Sequence, residues 1–100
     1  MKKFKKDTFD SFKKARFSRY RDFRVSFRKS KECSVGCIVT KKAGNAVKRN
    51  RIRRIVFEFF RVNNVSYDIF IIVHNTKIED MTEFENKLKT DLLNLKKRLK

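Results

Sequence analysis

Proline is absent, glycine occurs only at positions 36 and 44, cysteine only at 33 and 37, and histidine only at 74. Without clusters of Pro or Gly, nothing marks an internal linker. The 100 residues read as one domain over 1–100 with a modest core. On a strand, Cys33 and Cys37 would point to one face about 13 Å apart, too far for a disulfide with each other. One distant histidine adds too few ligands for zinc, so both cysteines read as small core residues. No run approaches the ~20 apolar residues of a membrane span. No apolar stretch follows the basic start at Met1–Lys6, which argues against a secretory signal. A cytoplasmic chain with no membrane partner is expected.

Acids are also scarce, 11 against 28 Lys and Arg. A protein-only nuclease needs metal-binding carboxylates or a general acid–base pair. The acids here fall instead where helices begin. Asp7 and Asp10 sit at a short helix expected over about 8–15, and Glu79, Asp80, Glu83 and Glu85 crowd the start of another, where the helix dipole favours them. His74 follows an apolar strand and reads as a structural or surface residue. No catalytic residue and no protein metal site are expected, and the chain alone should cut nothing.

What the chain has is positive charge, net +17 and unevenly spread. Residues 1–61 hold 21 basic and 5 acidic residues, whereas 62–100 hold 7 and 6. The N-terminal two-thirds therefore carry the field that attracts a polyanion, and the remainder reads as scaffold. Arginines interleaved with aromatics favour nucleic acid over a lipid surface. Residues 1–6 read as a mobile basic arm.

The most informative stretch is 41–61. A Gly44-Asn45 turn leads into a helix over about 46–62 with Ile52, Ile55, Val56, Phe59 and Phe60 on one apolar face. Asn50, Arg54, Phe57 and Arg61 fall opposite, flanked by Arg51 and Arg53. Guanidiniums offer rigid bidentate donors to phosphate, and the adjacent helix N-terminus also favours an anion. Glu58 is the only acid on this face. Phe57 lies among the arginines, where it would either stack on an unpaired base or pack under the neighbouring arginine stems.

Elsewhere, residues 17–29 alternate, with Phe23, Val25 and Phe27 on one side and Tyr20, Asp22, Arg24, Ser26 and Arg28 on the other. A second strand runs from Cys33 to Lys41 with Val35, Cys37 and Val39 inward, and a turn at 30–32 would join the two as an antiparallel hairpin. Tyr67–Val73 is a nearly continuous apolar run, as in a strand covered on both faces. Thr82 and Glu85 resemble a capping box ahead of an amphipathic helix reaching about residue 98. The order α-β-β-α-β-α predicts an α+β fold with helices layered on one sheet.

The 41–61 segment strongly resembles the signature of the bacterial ribonuclease P protein family. Lys41, Lys42, Gly44, Asn45, Ala46, Val47, Arg49, Asn50, Arg51, Arg54, Glu58 and Arg61 match at fixed spacing, and Arg53 replaces a lysine. Phe57 departs from the pattern, standing where the family has an arginine. The resemblance implies a two-layer α/β sandwich on a mixed, roughly four-stranded sheet with a left-handed β-α-β crossover. It also implies an accessory subunit of an RNA enzyme that removes the 5′ leader of precursor tRNA. Mg²⁺ would be bound mainly by the catalytic RNA and substrate, and DNA is not an expected partner. By position, Lys41, Lys42, Asn45, Arg49, Asn50, Arg51, Arg53, Arg54 and Arg61 would contact the catalytic RNA. Phe9, Phe12, Tyr20, Arg24 and Ser26 would line a cleft for the leader, with Phe9 and Phe12 alternatively sealing a helix onto the core. A non-catalytic RNA-binding protein of ribosomal type is the competing reading.

Overall fold

A computed structural model describes residues 1–4, 11–12, 15–74 and 80–99. Five strands form one sheet: β1 (Lys2–Lys3), β2 (Arg16–Arg19), β3 (Phe23–Lys29), β4 (Ser34–Val39) and β5 (Tyr67–Val73). Helix α1 (Ala46–Val62) lies between β4 and β5 in sequence, and α2 (Met81–Arg98) follows β5. The spatial order is β1-β4-β5-β3-β2. β5 pairs parallel with β4 and antiparallel with β3, so the sheet is mixed. This is the expected α+β arrangement with one strand more than anticipated. The expected helix over 8–15 falls largely outside the described residues.

The fifth strand is the N-terminal segment. Lys2 and Lys3 pair parallel with Ser34 and Val35. The backbone N–H groups of Lys2 and Phe4 donate to the carbonyls of Cys33 and Val35, both at 2.8 Å. The reading of 1–6 as a free arm is therefore corrected for residues 1–4, and 5–6 lie outside the described residues.

A second correction concerns pairing. β3 and β4 do not form a hairpin; β5 inserts between them. β5 is the most apolar strand, and the centre of the sheet withdraws both of its faces from water. The tight hairpin is instead β2–β3, turning at Arg21-Asp22.

One sheet face carries Phe23, Val25, Val35, Val39, Ile69, Ile71 and Val73, all buried. They form a single core with Ile52, Ile55, Val56 and Phe60 of α1 and Phe84, Leu88, Leu92 and Leu95 of α2. Each such side chain withdrawn fully from water contributes about 1.5–3 kcal/mol, which is how this small domain holds its two layers. Cys33 belongs to this core and Cys37 packs against it, both as free thiols. Burial pushes the Cys37 thiol up to about 12, with a smaller opposing pull from the Arg53 guanidinium. Helix α2 starts two residues earlier than a Thr82–Glu85 box requires. The Asp80 carboxylate accepts from the Thr82 and Glu83 N–H groups at 3.0 and 3.1 Å and is the cap. No helix among the described residues is long and apolar enough to cross a membrane.

The other face has its own small apolar cluster. Phe70 and Phe12 are buried, with ring centroids 5.6 Å apart, and Phe4 meets Phe12 edge-on at 5.7 Å. Gly36 makes this cluster possible, since a Cβ there would lie 2.6 Å from two carbons of the Phe70 ring. Gly36→Ala is expected to cost about 1–3 kcal/mol of stability in urea unfolding. Combining it with Phe70→Leu should cost less than the sum of the two single changes.

Candidate nucleic-acid interface

Two surfaces carry the candidate residues. The first is α1 and the turn before it. Lys41–Ala43 forms one 3₁₀ turn, with Lys41 and Lys42 exposed and Ala43 buried beneath them. Gly44 then takes φ +141°, a backbone conformation closed to most side chains. Asn45 is the N-cap, its Oδ1 accepting from the Lys48 N–H at 2.9 Å. Its acceptor oxygen is thus committed to the helix, and Asn45 aims the arginines as well as standing beside them.

From that start α1 buries Ile52, Ile55, Val56 and Phe60 and turns Asn50, Arg51, Arg54 and Arg61 outward, with Arg49 and Arg53 half-buried. The arginines are less free than charge counting implied. Arg53 donates to the Asn50 side chain, Arg61 pairs with Glu58, and Arg51 lies 3.8 Å from Glu85 of α2. These pairs are exposed, and such contacts contribute little net stability. Their consequence is geometric: they orient guanidiniums while leaving donors available. Arg54 has no ion-pair partner among the described residues, and the buried Nε of Arg49 has no hydrogen-bond acceptor there. A buried donor without an acceptor is uncommon.

Phe57 is not perched on a purely polar face. It is half-buried and packed against the core, with the Lys3 ammonium 4.7 Å from its ring centroid. The ring thus meets the edge of the core as well as the arginine face, and the cation above it comes from β1.

The second surface is the sheet face opposite the helices. Arg24 and Ser26 lie on it as expected, but Ser26 is buried at 3% exposure. Phe12 is buried against Phe70, with the Arg28 guanidinium 4.4 Å above its ring. Phe12 therefore forms the floor of this face. Phe9 lies outside the described residues. Tyr20 is misplaced in the sequence reading. It stacks on Phe23 at 4.7 Å on the helix-covered side, its hydroxyl 3.4 Å from Arg98 of α2. The cause is parity: crossing the two-residue turn at 21–22 puts Tyr20 opposite Phe23, on the same face.

The same parity brings up a residue that sequence reasoning missed. Phe17 pairs with Ser26 and is 49% exposed, its ring 4.3 Å from the Arg24 guanidinium and 5.9 Å from that of Arg19. Counting back through the hairpin would have found it. Arg28 is anchored too, donating to Asp68 at 3.0 Å and to the Ser11 carbonyl at 3.1 Å. An exposed aromatic ring flanked by guanidiniums, beside a floor of buried rings, has the chemistry of a single-strand platform. The Arg24 Nε is buried there without an acceptor among the described residues.

These two surfaces on an α+β sandwich have the character of a nucleic-acid-binding domain, with outward arginines on one side and aromatic–cationic pairs on the other. The family model for ribonuclease P matches residues 4–100, and the chain belongs to that family. It is 60% identical over 42 residues to the ribonuclease P protein component of Syntrophus aciditrophicus, a match covering 38% of this chain and 35% of that protein. The Finegoldia magna protein is 39% identical over 61 residues, covering 58% and 54%. These alignments thus span about a third to a half of the relatives' length. Over the whole fold the chain is similar to the Staphylococcus aureus RNase P protein, with TM-score 0.80, 28% identity and 100% and 99% of the two chains covered. It is also similar to the Thermotoga maritima RNase P protein, with TM-score 0.76, 28% identity and the same coverage.

Because Asn45 sets the start of the arginine helix, Asn45→Ala is expected to cost about 1 kcal/mol in thermal or denaturant unfolding. Asn45→Asp, which keeps an acceptor at the cap, should retain most of that stability.

Proposed function

We propose that this chain acts as the protein subunit of a ribonuclease P holoenzyme, binding a catalytic RNA and the 5′ leader of precursor tRNA. The observation that carries the reading is α1, which buries one face and turns Asn50, Arg51, Arg54 and Arg61 outward beside Lys41 and Lys42 in a chain of this family. Through α1 and the preceding turn the protein grips phosphate and ribose of the catalytic RNA, setting register more than reading sequence. Through Phe17, Arg24, Arg28 and the rings beneath them it holds a single-stranded leader by stacking and charge.

The protein contributes binding and position. Four of its described carboxylates are already engaged: Asp68 by Arg28, Glu58 by Arg61, Glu85 by Arg51 and Lys89, and Asp80 by the α2 cap. No three His, Cys, Asp or Glu side chains converge among the described residues. The described donors therefore offer no cluster suited to Mg²⁺, and in this reading the ion belongs to RNA and substrate. Lowering the repulsion between two RNA polyanions is what a strongly basic subunit adds.

The test is 5′ processing of a precursor tRNA by a bacterial ribonuclease P RNA at low Mg²⁺. Cleavage should require the RNA, rise with the protein and fail with protein alone. RNA affinity should fall about 10³-fold or more between roughly 50 and 200 mM salt if six to eight cations touch phosphate. Tight, salt-sensitive RNA binding with no stimulation of a cognate RNA would point instead to a structural RNA-binding role of ribosomal type.

Phe17→Ala addresses the second surface. It is expected to weaken the complex with leader-bearing precursor about tenfold, on the scale of one lost base stack, and to leave leaderless tRNA binding unchanged. Competition binding of the two substrates to the reconstituted holoenzyme measures both.

A further inference from the structure

Residues 1–4 bring a cation that the α1 motif does not contain. β1 is a two-residue edge strand, and so short a ladder has little pairing energy of its own. Phe4 holds it, with its ring against Phe12 and its Cβ 3.1 Å from where a Cβ on Gly36 would lie. Strand alternation then sends Phe4 to the aromatic cluster and Lys3 to the other side of the sheet, in register with Val35, toward α1. There the Lys3 Nζ sits 4.7 Å from the Phe57 ring centroid. Lys3, Arg53, Arg54 and Arg61 line one surface groove of about 350 Å³ with Phe57 in its wall. Glu58 is the one acid in that lining, and it is already paired with Arg61.

Four cations against one acid make the groove complementary to an anion. The ring beneath Lys3 keeps its ammonium positioned without neutralising it. We propose that this groove is a phosphate subsite for an RNA backbone, in which Lys3 from the edge strand completes the arginine surface of α1. The inference deepens the reading given under Proposed function and takes its occupant to be a phosphodiester of the catalytic RNA. Residues 1–4 then link the two surfaces, since the strand that delivers Lys3 to α1 also seats Phe4 against Phe12.

Two arms test this with the full chain. In the first, inorganic pyrophosphate is titrated and backbone amide shifts are followed by NMR. Saturable shifts centred on Lys3, Arg53, Phe57 and Arg61 are expected, with apparent affinity falling about threefold or more in Lys3→Gln. In the second, binding to a bacterial ribonuclease P RNA is measured across a salt series. Lys3→Gln should weaken binding about five- to tenfold and lower the log–log salt slope by about 1, whereas Lys97→Gln on exposed α2 should leave the slope nearly unchanged. Equal effects of the two substitutions on RNA binding, or pyrophosphate shifts spread evenly over all basic segments, overturn the subsite. Wild-type protein that fails to bind the RNA while pyrophosphate still focuses on Lys3 overturns the ribonuclease P reading and leaves the phosphate subsite standing.

Discussion

The pairing of β5 on both sides organises this molecule. Its alternate residues Ile69, Ile71 and Val73 face the helices, while Phe70 faces the other way. Both sets are buried, so the strand must be central, and β3 and β4 are held apart by it. That single placement gives α1 its route across the sheet and puts Phe70 under the opposite face. Disrupting β5 would therefore affect both surfaces, although neither presents a β5 side chain as its main cationic group.

The two surfaces solve different electrostatic problems. On α1 the cations are close in sequence and repel one another, so Glu58, Asn50 and the incoming Glu85 orient them without cancelling them. On the sheet face the cations come from β3 and rest on rings, Arg24 on Phe17 and Arg28 on Phe12. Guanidiniums tolerate this because they are weakly hydrated and planar, so stacking leaves their edges free to donate. The first arrangement suits a rigid, folded polyanion. The second suits bases and phosphates of an unpaired strand.

Much of the plan was legible from residue order. The span of α1, its buried stripe at Ile52, Ile55, Val56 and Phe60, the strand at 67–73 and the amphipathic α2 all follow from local periodicity. The errors share a different character. Tyr20 was assigned to the open face because alternation was carried unbroken through a two-residue turn, and Phe17 was overlooked for the same reason. The β3–β4 hairpin was inferred from adjacency, yet β5 competes better for both partners because it has two apolar faces to bury. Residues 1–4 looked like a free arm because two lysines beside two exposed bonds leave almost no local signal.

Periodicity is a property of neighbours, and the Gly44-Asn45 turn, the arginine spacing on α1 and the excess of charge before residue 62 are all properties of that kind. They were sufficient to mark out an arginine-faced helix and to point to a family. Which strand lies beside which, which face Phe17 and Tyr20 occupy, and that Lys3 comes to rest on Phe57 depend on contacts between segments remote in the chain. Those contacts exist only once burial of β5 has forced the remote segments together, and no local pattern of residue types encodes their register.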